Sequence, residues 1–465
     1  MTTIDLNQPI HIHFIGIGGI SMSGLAELLH SKGFVVSGSD RARSPITERL
    51  EADGIRVCYG QRASNLTDDI DLAVYTAAVH PDNPEYAACV EKGIPLMDRA
   101  ELLGQISHAF PIAIGVSGTH GKTTTTSMIA LMLLEAGMDP TISLGGMLDA
   151  IGGNLRIGRS DNFLFEACEY TNSFLKFYPS DEVILNIDKD HLDFFKDLDD
   201  IRHSFRLYAQ RLPENGCLII NGQIPRLAEI IEGLPCEIVT YGMLAEDDPD
   251  DRYRFAARNV TYDELGCPSY DLYIDGAPSG RIRLSVVGEH NAANSLAAIA
   301  EGTRRRIPLS VMQTALLHYT GTERRFEKKG TVGGVTIVDD YAHHPTEIKA
   351  TLTAAKAYPH KTLWCVFQPH TYTRTKLLRA EFAEALCAAD KIVLADIFAA
   401  REVNTGEISS RDLCEDLKKL GKDAYYFPSF DEIENFLLKN CVNGDLLITM
   451  GAGDIAKVGD FLLGK

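Results

Sequence analysis

The sequence predicts an α/β protein of about three domains, and three observations carry that prediction. First, its 465 residues exceed the ~250 to 300 at which a single core stops growing. Second, strand-like and helix-like stretches alternate through the first hundred residues and again after residue 322, which implies parallel sheets with crossover helices. Third, between these regions an apolar strand runs directly into a Gly-rich turn and then a helix.

In chain order, Ile10 to Ile15 reads as strand, Met22 to His30 as helix, and Phe34 to Ser37 and Leu72 to Tyr75 as strands. The second part opens at the strand Ile112 to Val116. Its helix runs through Met128, Leu131, Met132 and Leu134 until Gly137 stops it. Strands follow at Phe163 to Glu166 and Val183 to Ile187. The stretch from about 236 to 287, rich in Tyr, Val, Ile and Gly with period-two patterning, reads as an antiparallel addition. After the basic junction Glu323-Arg324-Arg325-Phe326, strands are expected at Val335 to Val338, Leu363 to Phe367, Ile392 to Ala395 and Leu446 to Thr449. The resulting division is 1–108, 109–322 and 323–465.

Composition excludes several classes. Hydrophobic residues make up 45% and charged residues 23%, as in an ordinary globular chain. A net charge of −19 repels nucleic acid and anionic membranes at long range, so neither is expected as a partner. The ten cysteines form no CxxC pair and no zinc spacing, so they read as reduced core residues. The N-terminal MTTIDLNQPIHIHF lacks a basic stretch followed by an apolar one, and no run of ~18 apolar residues occurs, so a cytoplasmic location is expected.

The sharpest motif is Gly118-Thr119-His120-Gly121-Lys122-Thr123-Thr124, placed between a strand and a helix. Glycines there let backbone N–H groups converge on phosphates, the helix N-terminus adds positive potential, and Lys122 neutralises charge on a transferred group. Thr123 is placed to ligate Mg²⁺. The strict GxxxxGK[ST] spacing is not met, because Val116 lies five residues before Gly121, so the loop is a variant. A bare glycine turn entering a helix is the plain alternative, and the Lys-Thr pair argues against it.

At the N-terminus Gly16-Ile17-Gly18-Gly19-Ile20-Ser21 follows a strand, and Asp40 ends the next one about twenty residues on, as in dinucleotide-binding units. Ser21 replaces the third glycine, and the same geometry serves any nucleotide diphosphate, so NAD and a UDP-sugar stand level here. Two more clusters close strands of the second part: Glu166-Ala167-Cys168-Glu169 and Asn186-Ile187-Asp188-Lys189-Asp190-His191. A carboxylate and an imidazole there can hold Mg²⁺ against a γ-phosphate. Either cluster alone reads as helix caps or surface groups; their succession after a phosphate loop favours the metal.

These residues resemble the Mur ligases over essentially the whole chain, and within that family its alanine-adding members. The motifs are GIGGISMSGLAE at 16–27, SGTHGKTTTT at 117–126, EACEY at 166–170, NIDKDHLD at 186–193, GEHNAANSLAA at 288–298, RRF at 324–326, VDDYAHHPTEI at 338–348, FQPHTYTRT at 367–375 and GAGDI at 451–455. The resemblance implies a Rossmann-like N-terminal domain for a UDP-sugar, a central P-loop ATPase-type domain and a Rossmann-like C-terminal domain that closes over the site. It implies ATP and Mg²⁺ as cofactors, and UDP-N-acetylmuramate and L-alanine as substrates, in peptidoglycan synthesis.

By that resemblance Gly16, Gly18, Gly19, Asp40 and Thr76 would contact the UDP moiety. The 118–124 loop would hold ATP phosphates, and Thr123, Glu166 and His191 would hold Mg²⁺. His290 and Asn294, one helical turn apart, would face adenine. Arg325 would grip ATP phosphate after closure, and Asp340 would serve the ribose or hinge. His343, His370 and Arg374 would contact the substrate carboxylate, the lactyl arm and the amino acid. Packing or helix capping is the plain alternative for each.

Two departures stand out. Many relatives read EADESD where this chain reads EACEYT at 166–171, which puts the acids after Glu166 in doubt. Relatives that add later residues carry a carbamylated lysine on the helix where Arg202, Arg206 and Arg211 are expected here, so no modified lysine is expected. The implied chemistry is γ-phosphoryl transfer to a carboxylate, giving an acyl phosphate that an amine attacks. Three rivals remain: a ligase recycling a preformed peptide onto the same UDP-sugar, an NAD-dependent oxidoreductase, and a non-catalytic nucleotide switch. Oligomeric state is left open between monomer and homodimer.

Overall fold

The computed structural model describes residues 4–465 except 77, 193 and 401. Asp193, the last residue of the NIDKDHLD motif, is therefore outside the described residues. The chain divides into two compact units: Met1–Ile187 with Arg202–Val239 and Arg304–Ile307, and Asp188–Ile201 with Thr240–Thr303 and Pro308–Lys465.

In the first unit the N-terminal sheet has five parallel strands in the order Arg56–Tyr59, Val35–Asp40, His11–Ile15, Leu72–Tyr75, Leu96–Asp98. Strand order reverses between His11–Ile15 and Leu72–Tyr75. In an open parallel sheet such a switch opens a crevice at the carboxyl ends of the strands. The glycine turn after His11–Ile15 and Thr76 after Leu72–Tyr75 both stand at that end.

The same unit carries a run of strands in the order Gly153–Arg156, Thr141–Leu148, Asn162–Glu166, Ile112–Ser117, Asp181–Ile184, Cys217–Asn221. All pair in parallel except the first two, which form a hairpin. Ile112–Ser117 is central, flanked by the strands that lead into EACEY and NIDKDH. The strand expected over Val183 to Ile187 ends at Ile184. Beyond it, Leu185 N–H donates to the Ser117 carbonyl, and the Asn186 carbonyl accepts from Thr119 N–H, so the chain turns aside to support the phosphate loop.

In the second unit Phe255–Tyr262, Pro268–Ile274 and Ala277–Arg283 form an antiparallel meander. The expectation of an all-antiparallel addition needs one correction: Tyr241–Met243 pairs in parallel with Phe255–Ala257. The connection 244–254 carries the chain back before the next strand begins, with Ala245 N–H held by Asp248 at 2.9 Å.

The C-terminal sheet has the order Glu327–Val332, Val335–Asp340, Leu446–Met450, Leu363–Phe367, Lys391–Leu394, Asp423–Tyr426, parallel except for the first hairpin. Its four inner strands are apolar on both faces. Val338, Cys365, Phe367, Ile392, Leu394 and Ile448 pack on one side, and Ile337, Trp364, Val366, Val393 and Leu447 on the other. A parallel sheet covered by crossover helices requires this.

Cys58, Cys168, Cys387 and Cys441 are partly exposed and the other six cysteines are buried; all ten are free thiols. Among the described residues no helix is long and apolar enough to cross a membrane.

The helix Arg99–His108 packs against the 3-10 segment Tyr170–Lys176 that follows EACEY. The contact depends on a missing side chain, since a Cβ on Gly104 would lie 2.0 Å from the Lys176 carbonyl oxygen. Gly104→Ala is expected to lower unfolding free energy by about 1–3 kcal/mol, read as a lower denaturant midpoint.

Candidate active site

In the first unit the loop between Ile112–Ser117 and the helix Lys122–Glu135 has the form its sequence calls for. Gly118 has φ 138° and Gly121 φ 83°, backbone that glycine adopts without strain. Gly121 occupies the N-cap position and no side chain caps the helix, so the first turn of the helix keeps the positive end of its dipole open to an anion. Asn186 clamps His120 from both directions: its Oδ1 accepts from His120 N–H at 2.8 Å, and its Nδ2 donates to the His120 carbonyl at 2.9 Å. Thr124 is nearly buried behind the loop.

Lys122 Nζ donates to the Gly118 and Thr119 carbonyls and to Glu169 Oε2 at 3.0 Å. Burial alone would lower the ammonium pKa, but Glu169 above all, then Cys168 and Glu166, holds it above its ordinary value. Thr123 Oγ1 donates to Glu166 Oε2 at 3.1 Å, and Glu166 Oε1 also accepts from Gly145 N–H at 2.6 Å. A hydroxyl and a carboxylate oxygen thus converge beside the phosphate loop, and hard oxygen donors of this kind suit Mg²⁺.

At the N-terminal sheet the glycine turn is braced by Asp40. Its Oδ2 accepts from Gly18 N–H at 2.8 Å, and a Cβ on Gly18 would lie 2.8 Å from that same oxygen. Gly16 N–H bonds the Ser39 carbonyl, Gly19 N–H bonds the Gly16 carbonyl, and Thr76 Oγ1 accepts from Ala78 N–H. The Asp40 carboxylate, expected against the UDP moiety, is first the brace of this turn.

In the second unit the segment beginning at Asp188 is held by residues at the starts of the two helices Pro345–Ala357 and Tyr372–Leu377, which follow strands of the C-terminal sheet. Arg374 Nε and Nη2 both donate to Asp190 Oδ1, at 3.1 and 2.8 Å. His344 Nε2 bonds the Lys189 carbonyl at 2.7 Å, and Thr346 Oγ1 donates to Asp188 Oδ2 at 2.6 Å. His191, with a left-handed φ of 54°, places Nε2 3.7 Å from Asp190 Oδ2. Burial would raise the Asp190 pKa, yet His191, then Arg374, His343 and His344, hold it well below the usual carboxylate range.

The three residues expected at the substrate carboxylate do come together. Arg374 Nη1 lies 3.1 Å from His370 Nδ1, and the His343 and His370 rings are 5.8 Å apart. His370 also stacks on Phe398. Burial first, with Arg374 adding to it, pushes the His343 pKa down to about 4, so its ring is neutral near pH 7.

Arg325 lies over the Tyr341 ring at 5.2 Å and 4.0 Å from Glu347. Asp340 accepts from Phe326 N–H and Ala342 N–H at 2.8 and 2.7 Å, and burial pushes its pKa up to about 6. Its carboxylate organises the junction that aims Arg325. His290 lines a cleft of about 440 Å³ together with Tyr262, Gly266, Gly288, Thr346, Lys349 and Ala354. Asn294, expected beside it, is buried with its amide on Asn291 Oδ1 at 3.0 Å and is not a lining residue.

Sequence reasoning assigned no role to Glu169, Asn186, Asp190, His344 or Thr346, although each lies in a motif it quoted. On the arginines it needs one correction. The helix is Leu198–Ala209, so Arg211 lies beyond its end. Arg206 donates to the Glu229 and Glu232 carbonyls and Arg211 to the Phe177 carbonyl, which are structural roles.

The Asp190–Arg374 pair is nearly buried, at 7% and 12% side-chain exposure. Asp190→Ala is expected to cost about 3–5 kcal/mol of stability by leaving an uncompensated guanidinium, and the double variant with Arg374→Met to recover part of it. Chemical denaturation of the four proteins measures the cycle.

Three family models match the chain: "Mur ligase family, catalytic domain" over residues 11–111, "Mur ligase middle domain" over 116–302 and "Mur ligase, glutamate ligase domain" over 324–453. The chain is 60% identical over 469 residues to a UDP-N-acetylmuramate–L-alanine ligase of Lachnoclostridium phytofermentans, covering 100% of both. It is 58% identical over 463 residues to the protein of that name from Lachnospira eligens, again covering 100% of both. Among solved structures, a UDP-N-acetylmuramate-alanine ligase from Thermotoga maritima aligns with TM-score 0.82 at 28% identity, covering 98% of each chain. A murein peptide ligase from Psychrobacter arcticus aligns with TM-score 0.72 at 25% identity, also covering 98% of each. On these matches and on the sheets and phosphate loop described above, the chain belongs to the Mur ligase family.

Proposed function

We propose that the protein is an ATP-dependent ligase that joins L-alanine to the carboxylate of UDP-N-acetylmuramate through an acyl phosphate, in peptidoglycan synthesis. The observation that carries this reading is the Lys122 loop with Thr123 and Glu166 beside it, in a chain 60% identical end to end to a ligase of that name.

Residues 1–108 would take the UDP-sugar at the strand-order reversal, where Gly16, Gly18, Gly19 and Thr76 stand. Residues 109–322 would take ATP: the 118–124 backbone and Lys122 the phosphates, and the cleft beside His290 the adenine. Residues 323–465 would take the amino acid and substrate carboxylate through His343, His370 and Arg374, with Arg325 on ATP phosphate and Asp340 holding its junction. Thr123 and Glu166, joined by His191, would hold Mg²⁺, which when bound neutralises charge on the phosphates.

A carboxylate is a poor electrophile, and transfer of the γ-phosphoryl group to it makes a carbonyl that an amine can attack, with phosphate leaving. Lys122 stabilises the equatorial oxygens of the transferring group as charge builds on them. Neutral His343 can accept a hydrogen bond near pH 7, whereas an imidazolium could not.

The test is phosphate release from ATP and Mg²⁺ with UDP-N-acetylmuramate, adding L-alanine, glycine, L-serine or a wall tripeptide separately. Release is expected to require both the UDP-sugar and L-alanine, and to fall at least about a thousandfold in Lys122→Ala. Dependence on the tripeptide instead would make the protein a recycling ligase. No release with any acceptor would overturn the ligase reading.

A further inference from the structure

The glycine turn of the N-terminal sheet hangs from one residue of the neighbouring strand. The Ser39 carbonyl accepts from Gly16 N–H at 2.8 Å and from Ile17 N–H at 2.9 Å, the two amides that open the turn. The turn has no slack on that side, since a Cβ on Gly38 would lie 2.7 Å from the Ile17 side chain and 2.7 Å from the Phe14 carbonyl oxygen. Where Ser39 stands therefore decides where the turn stands. Ser39 is fully buried, and its hydroxyl donates to Glu85 Oε2.

Glu85 lies in the first turn of the helix Pro84–Lys92, beyond the strand Leu72–Tyr75, and is likewise fully buried. Its Oε1 accepts from Asn65 Nδ2 and from Arg62 N–H, and Asn65 Nδ2 also donates to the Gly60 carbonyl at 2.8 Å. Gly60 N–H donates to the Asp40 carbonyl at 2.7 Å. One carboxylate thus ties the ends of Val35–Asp40 and Arg56–Tyr59 to the helix beyond Leu72–Tyr75, around the crevice where strand order reverses. Ser39, Asn65 and Arg62 all donate to it, as suits a group that only accepts. Burial would raise the Glu85 pKa, but His13, then Ser39 and Asn65, hold it below the ordinary carboxylate value, so it is ionised near pH 7. His13 Nε2 stands 3.9 Å from Glu85 Oε2, and His13 Nδ1 bonds Ser37 Oγ at 2.9 Å.

Apolar side chains of similar volume would brace a sheet at least as well as a buried charge, so stability alone does not account for an acid at this position. What it holds does. We propose that Glu85 is a positioning residue of the nucleotide-sugar crevice, which acts through Ser39 to fix the glycine turn against which the diphosphate would lie. The inference rests on the UDP-sugar reading of residues 1–108.

Calorimetric titration with UDP tests this on the unaltered protein, Glu85→Gln, Ser39→Ala and the double variant. Glu85→Gln keeps the size of the side chain but turns an amide N–H₂ towards groups that donate, and Ser39→Ala removes only the hydroxyl. Each is expected to weaken UDP binding at least about fivefold. Because the two act in series, the double variant is expected to lose about as much as the weaker-binding single variant and not the product of the two losses. A non-hydrolysable ATP analogue with Mg²⁺, bound at a distant site, is expected to keep its affinity within about twofold in all four proteins. In turnover the KM for UDP-N-acetylmuramate is expected to rise while kcat stays within about threefold.

UDP affinity within about twofold of the unaltered protein's in both single variants overturns the proposal, and so do losses that multiply in the double variant, since the two groups would then act apart. Should Glu85→Gln fail to fold, Ser39→Ala decides by the same UDP measurement. An unaltered protein that binds neither UDP nor UDP-N-acetylmuramate defeats the UDP-sugar reading and the proposal with it, an outcome distinct from UDP binding that both substitutions leave unchanged.

Discussion

The ion pair of Lys122 with Glu169, 3.0 Å apart at the foot of a glycine turn, is the contact around which the first unit is arranged. For Lys122 to stand there, the chain must leave Ile112–Ser117 and enter a helix within four residues, which requires the positive φ of Gly118 and Gly121. For Glu169 to meet it, Asn162–Glu166 must lie beside that strand in parallel, and the chain must then fold into a turn with two left-handed residues. For the loop to keep its shape, Asp181–Ile184 must lie on the other side and deliver Asn186 to His120. Three neighbouring parallel strands ending at one level satisfy all three demands.

The second unit is arranged around another buried charge. Asp190 gathers the Arg374 guanidinium and three imidazoles, and with Asp188 and Lys189 it fastens its segment to the residues of the DYAHHPTE and QPHTYTRT motifs. Two consequences follow for chemistry. Arg374 is already oriented by Asp190 before any substrate carboxylate arrives, which lowers the cost of ordering it on binding. His343 is kept neutral in a cationic, buried setting, as an acceptor near an amine requires.

Much of this was legible in the sequence, and the reasons differ by element. Leu72–Tyr75 and Leu363–Phe367 occur at the residues expected, because apolar runs bounded by turns mark buried parallel strands. Arg56–Tyr59 and Leu96–Asp98 went unread because four and three residues carry too little pattern. The parallel pairing of Tyr241–Met243 was unreadable in principle, since period-two patterning is the same for either strand direction. The phosphate loop was legible because its chemistry is local. The partnership of Asp190 with Arg374 was not, since the two lie 184 positions apart and only the fold brings them together. Glu169 is the intermediate case: it was visible as an acid at a strand end, but its aim depends on the left-handed turn that follows.

The central claim is that phosphoryl transfer to a carboxylate precedes amide formation, and oxygen tracing tests it most directly. UDP-N-acetylmuramate labelled with ¹⁸O in its carboxylate would be turned over with ATP, Mg²⁺ and L-alanine, and the released phosphate examined by mass spectrometry. The amine displaces phosphate from the acyl phosphate, and that phosphate keeps one former carboxylate oxygen, so each phosphate is expected to carry one ¹⁸O. Unlabelled phosphate accompanied by amide product would contradict the account.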